Sequence, residues 1–223
     1  MTVKKSSKIN GKILAFGFVF IAAMHGYAWD TLSEMESESC AALTNEQILV
    51  SAEFTNKLHA AFNSQDLCMR MDAGILLAIC SHQMFLRTSE ESDLVRVLHN
   101  ASNAVVCASN NTDKWQYWMS KLVFAGSIGM NGNRPMSYCM LTNSICERAQ
   151  INYTNQETVL ERAILDYYEF FGADIFSAYK ILAGVNAADL GLYDAATNYA
   201  SQVPPVHAAQ IIEHLESVIQ QRP

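Results

Sequence analysis

Residues 65–86 read QDLCMRMDAGILLAICSHQMFL, and this stretch decides the fold class. Polar residues flank its interior, at Asp72 and at Ser81-His-Gln83, whereas every residue from Gly74 to Cys80 is apolar. The pattern predicts a helix from about Gln65 to Leu86. An interior that is apolar on all sides marks it as the most buried element of the chain.

Working outward, Thr88-Ser-Glu-Glu91 reads as a capping box for the next helix, with Leu94, Val97, Leu98, Ala101 and Val105 on one face. The two helices then form a hairpin turning near residue 88. Upstream, Thr44-Asn-Glu-Gln47 opens a helix bearing Ile48, Ala52, Leu58 and Phe62. Downstream, Asn111 to Asp113 introduces one with Trp115, Trp118, Leu122 and Phe124, and Thr154-x-x-Glu157 caps one with Leu160, Ile164, Tyr167 and Phe171. Gly172 breaks that stripe, and a short helix resumes over Ala173–Ala183. Asn186 caps another, which ends before Pro204-Pro205, and Val206–Gln221 forms the last, apolar at Ala208, Ile211, Ile212, Leu215, Val218 and Ile219. Strand-like alternation is almost absent. The expectation is an all-α bundle of seven or eight helices.

Composition agrees with a packed body. Half of the 223 residues are hydrophobic and 17% are charged, which excludes a disordered chain. Ten Gly and four Pro are too few for an all-β sandwich, and a net charge of −7 excludes a strongly basic nucleic-acid binder.

The first 28 residues read as an address. Lys4, Lys5, Lys8 and Lys12 precede an uncharged apolar run, Ile13 to Met24, and Gly26-Tyr27-Ala28 supplies the small residues of a cleavage site. That order is the layout of a secretory signal peptide, and the run is too short to span a bilayer. Cleavage after Ala28 removes four of the 15 basic residues and no acid, leaving 11 against 22 acidic residues and a net charge of −11. Residues 29–43, with Glu34, Glu36 and Glu38, then read as a polar arm, and 44–223 as a single helical domain. Gly126 to Ser144, holding Asn131-Gly132-Asn133 and Pro135, is expected to be a long loop and is the place where any subdivision of that domain would fall.

After export, six cysteines suggest disulfides. No C-x-x-C occurs, so zinc-ribbon, thioredoxin-like and c-type haem sites lack support. In the expected hairpin Cys68 lies level with Cys107, which makes them the favoured pair. A helix opening at Ser144-x-x-Glu147 would allow a local Cys139–Cys146 bond and leave Cys40 for Cys80. The competing arrangement sends Cys40 and Cys80 separately to Cys139 and Cys146.

Motifs for chemistry are sparse. None of His59, His82, His99, His207 and His214 has Glu three residues away, and there is no H-E-x-x-H, so no metal, cofactor or catalytic residue is assigned. His207 and His214 share a face of the last helix and read as histidines at the edge of the core. Gly126-Ser127-Ile128-Gly129 is out of register for a nucleophile elbow and reads as close packing or a turn. Glu91-Ser92 is similar to the Glu-Ser pair of lytic transglycosylases, but the glycine-rich and Asn-containing motifs that should follow are absent. Glu91 instead suits the first turn of a helix. Gly184 and Gly191-Leu-Tyr193-Asp-Ala-Ala196 resemble part of one tetratricopeptide repeat, without a preceding 34-residue copy. Asn100, Asn110 and Asn152 each open an N-x-[ST] triplet.

These readings point to an exported, non-enzymatic interaction or accessory protein of the bacterial envelope or exterior, its partner another protein rather than nucleic acid. One alternative is a secreted cell-wall glycan hydrolase using Glu91, Asp166 or Glu169. The other is a carrier holding an apolar ligand among Trp115, Trp118, Tyr167 and Phe171.

Overall fold

Met71 to Ser81 are buried without exception, midway along α4 (Leu67–Thr88), in the computed structural model, which describes residues 28–151 and 157–221. The apolar interior of the segment therefore lies where its composition requires. Asp66 caps the helix by accepting from the Met69 N–H, and Ser89 closes it in the left-handed region at φ 55°. The chain then reverses into α5 (Glu91–Ala108). Gly74 is the contact point of this hairpin: a Cβ there would lie 3.3 Å from the Ala104 backbone and 3.0 Å from the Phe62 ring.

The described residues contain eleven helices and no strand. Before α4 come α1 (Leu32–Leu43), α2 (Glu46–Leu49) and α3 (Ala52–Phe62); after α5 come α6 (Trp115–Met130), α7 (Arg134–Arg148) and α8 (Val159–Tyr167). The chain ends with α9 (Ile175–Leu190), α10 (Tyr193–Ala200) and α11 (Pro205–Gln221). The larger core gathers α1 to α9 around α4 and α6, whereas α9, α10 and α11 enclose a smaller one built on Ala187, Ala188, Ala196, Ile211 and Leu215.

Several expectations are corrected. Residues 29–43 are not a solvated arm. Thr31 and Glu34 form a reciprocal capping box that starts α1, and Met35, Ser39, Ala42 and Leu43 are buried. Trp29 packs edge-on against Phe54 and donates to Glu38, which also pairs with Lys57 at 2.9 Å. Stretch 126–144 is not a loop either: α6 continues to Met130, and only Asn131–Asn133 separates it from α7. Asn133 accepts from the Met136 N–H, and Pro135 sits in the first turn, where its missing N–H costs nothing. Glycine and proline were thus punctuating a helical hairpin.

Four of the expected caps also lie elsewhere. Thr44 ends α1 while Asn45 caps α2. Thr88 accepts from Glu90 and donates to Asp93 rather than boxing with Glu91. Asn186 is buried inside α9, which runs on to a left-handed Gly191 at φ 77°. The cap of α8 is Thr158, whereas Thr154, like residues 1–27 of the leader and the Asn152 triplet, lies outside the described residues.

All six cysteines are free thiols, so the expected disulfide staples are not present. Cys139 and Cys146 share α7, two turns apart. That is about 10 Å along the axis, beyond the roughly 7 Å that a disulfide tolerates between Cα atoms. Cys80 is buried within α4. Cys68 and Cys107 are only half-buried: the fully enclosed stripe of α5 is Val97, Ala101, Ala104 and Ala108, and Cys107 stands beside it. Being level in a hairpin does not make two residues face each other. No helix among the described residues is long and apolar enough to cross a membrane.

Candidate functional site

Where α4, α6, α7 and α9 meet the turn after α8, they leave a cavity of about 300 Å³. Helix α6 supplies half of the lining residues, Leu122, Val123, Gly126, Ser127 and Met130, and α9 adds Leu182. The ring of His82 enters from α4, Arg134 stands at the start of α7, and Tyr168 and Phe170 come from the turn.

Gly126 explains the open space. A Cβ placed there meets a single side-chain atom within 4 Å, Leu182 Cδ2 at 3.7 Å. Glycine inside a helix costs about 1 kcal/mol relative to alanine, and no close packing at this position requires it. Gly129 differs, because a Cβ there would lie 3.1 Å from Ser137 Oγ. One glycine of the pair admits α7; the other leaves a void.

The turn that closes the cavity is tightly specified. Glu169 adopts φ 63° and Gly172 φ 72°, and the Phe170 N–H donates back to Leu165 O at 2.9 Å while Glu169 N–H donates to Asp166 O. This is a Schellman closure of α8 with a glutamate in the place glycine usually takes. It aims Tyr168 and Phe170 inward.

The walls are electrically quiet apart from one side chain. Ser127 donates to Val123 O at 2.7 Å, which satisfies its hydroxyl within α6. His82 stacks on Tyr168 with ring centroids 5.8 Å apart, and its Nδ1 is buried without a hydrogen-bond partner. Burial holds the His82 pKa below the usual 6.5, so the ring is neutral at pH 7. Arg134 is the charged exception. Its Nη1 donates to Asn186 Oδ1 and its Nε approaches Asp189 Oδ2, both at 3.2 Å. Asn186 in turn donates to Ser137 Oγ at 2.9 Å, and Ser137 donates to Ala125 O at 2.7 Å. This relay from α9 through α7 to α6 fixes the guanidinium.

The cavity presents a largely apolar wall beside one cation, bonded to Asn186 and Asp189, and one neutral imidazole. It is not the aromatic cluster expected from the sequence. Trp118 is fully buried in the core, donating to Thr112 O at 3.1 Å and bracketed by Tyr117 and Phe176. Trp115 is buried as well, Tyr167 bonds to Gln83, and Phe171 is 59% exposed. Nor do the expected acids line the cavity. Glu91 is exposed in the first turn of α5, Asp166 pairs with Arg162, and Glu169 is exposed on the turn. His207 is buried in the smaller core between Gln210 and the Phe171 carbonyl, and His214 pairs with Asp189 at 2.7 Å. Asn100 spends its amide nitrogen on Ser81 Oγ at 2.8 Å, within the α4–α5 hairpin. Among the described residues no group of three or more His, Cys, Asp or Glu is placed to hold a metal ion.

Two further polar groups are structural. Tyr117 donates to Glu147 at 2.6 Å, and Lys121 pairs with the other oxygen of Glu147 while lying over the Tyr117 ring. Burial opposes the Glu147 charge, yet these two bonds outweigh it and lower the pKa. Asp72 is fully buried in α4; one oxygen accepts from Gln116 at 2.9 Å and the other has no partner. Burial, reinforced by the charges of Glu36 and Asp66, raises its pKa to about 7 against the bond from Gln116.

The sequence reading missed His82, Gly126, Arg134 and Tyr168 as a set. The available signal was a mid-helix glycine on a face shared with Leu122 and Val123, and it was hidden while that stretch read as loop.

No family model matches this chain, and no curated protein or solved structure shows significant similarity to it.

Proposed function

We propose that the chain is an exported, non-enzymatic binding protein whose site is the α4–α6–α7–α9 cavity and whose ligand is a small apolar molecule. The observation that carries this reading is the open space at Gly126, where a Cβ would meet only Leu182 Cδ2 within 4 Å. A void lined by apolar side chains stays dry and favours apolar occupants. Its volume equals about ten water-sized groups at roughly 30 Å³ each, which suits a ligand near ten heavy atoms. Export rests on the layout of residues 1–28, a basic segment, an uncharged apolar run and small residues at the expected cleavage point.

Titration with the neutral, solvent-sensitive dye 1-aminonaphthalene, whose size matches that volume, tests the site. The wild-type chain should enhance the dye's fluorescence saturably at one equivalent. Gly126→Phe should fill the void and weaken binding at least tenfold while keeping or raising the melting temperature, since it also removes a helix glycine. Equal binding by both proteins would place the dye elsewhere and refute the assignment.

A protein partner is the second reading, and one observation favours it. Val95 and Val106 are 60% and 69% exposed and stand three turns apart on one face of α5.

A further inference from the structure

We propose that the ligand of this cavity ends in a single carboxylate, held by Arg134; the inference rests on the apolar-ligand reading above. Among the residues lining the cavity, Arg134 is the one that carries a fixed charge. An arginine has five N–H donors in a planar fork. Here Nη1 is engaged by Asn186 and Nε by Asp189. The remaining N–H groups, those of Nη2 foremost, stay available to a ligand oxygen. The Asn186–Ser137–Ala125 relay keeps the fork in place, so little side-chain entropy remains to be lost on binding.

Charge selects a monoanion. Asp189 already offsets much of the guanidinium charge, and His214 shares that carboxylate on its other oxygen. A phosphate dianion would meet too little positive charge, whereas a carboxylate asks for one donor fork and no more. The net acidic charge of the chain, before or after loss of residues 1–28, opposes any anion at long range, but salt screens exposed charges beyond about 8 Å. His82, being neutral, adds no second charge and faces the apolar part of the ligand with a stacked ring. The class is thus a medium-chain or compact aromatic monocarboxylic acid.

Decanoate and decanol, matched in length and different in one end group, separate the claims. By calorimetry at pH 7.5 in low salt, the wild type should bind decanoate at least tenfold more tightly than decanol, as a charge-assisted bond warrants. That preference should shrink at 0.5 M NaCl. In Arg134→Gln the ratio should fall toward one, and Arg134→Lys should restore part of it. A wild-type ratio at or below one, or an unchanged ratio in Arg134→Gln, overturns the carboxylate assignment while decanol binding leaves the apolar site standing. Should Arg134→Gln fail to fold, the wild-type ratio and its salt dependence decide alone. Failure of both ligands to bind removes the site and this inference together.

Discussion

Asp72 shows most sharply how one residue departs from what its surroundings favour. A carboxylate with one unpartnered oxygen in the middle of α4 is costly when ionised, and its pKa stands at about 7 rather than 3.8. The native chain therefore holds this proton more tightly than the unfolded chain does. The contribution of Asp72 to stability is greatest below pH 4 and declines as the pH rises from about 4 to about 7, by an amount on the order of 4 kcal/mol. Asp72→Asn keeps the acceptor for Gln116 and removes the charge. Urea unfolding at pH 8 should find the variant more stable than wild type, with the two converging near pH 4; a variant weaker at pH 8 would disprove the account. Such residue-level features are poorly legible in sequence. Nothing near Asp72 announces burial except the apolar run that follows it, and Arg134 reads as an ordinary basic residue until Asn186 and Asp189 are brought to it from α9.

At the scale of elements, helix identity was readable and helix boundaries were less so. The α4–α5 hairpin and its turn near residue 88 follow directly from apolar periodicity. Caps failed where several Ser, Thr, Asn or Glu residues competed for one terminus, as at Thr44–Asn45 and Thr88–Glu91. The 126–144 stretch failed because glycine has two uses. Gly126 and Gly129 permit space and close packing within helices, whereas only Gly132, at φ 81°, serves a turn. Gly74 belongs to the packing class. Gly74→Ala gains about 1 kcal/mol of helix propensity, but its methyl meets the Ala104 backbone at 3.3 Å and the Phe62 ring at 3.0 Å. Overpacking of that kind costs about 1–3 kcal/mol, so equilibrium unfolding should show a net loss near 1 kcal/mol. A gain would mean that α4 and α5 can separate freely.

For the whole molecule, the all-α class was legible from residues 65–86 outward, because one segment apolar on all sides demands other helices to cover it. The candidate site was not legible, because it belongs to no segment. It arises where four helices and a turn fail to fill a volume, and the residues that define it span positions 82 to 182. The aromatic residues that suggested a ligand box are needed instead as core, with Trp118 at its centre. Cysteine counting failed for a related reason: register along a hairpin does not fix the face a residue occupies, and neither Cys68 nor Cys107 lies on the buried face of its helix.

The cavity is the central claim, and amide chemical-shift mapping during titration with decanol tests it most directly. The account predicts saturable shifts centred on His82, Leu122, Gly126, Tyr168 and Leu182. Shifts confined to the Val95–Val106 face of α5, or no saturable shifts at all, would contradict it.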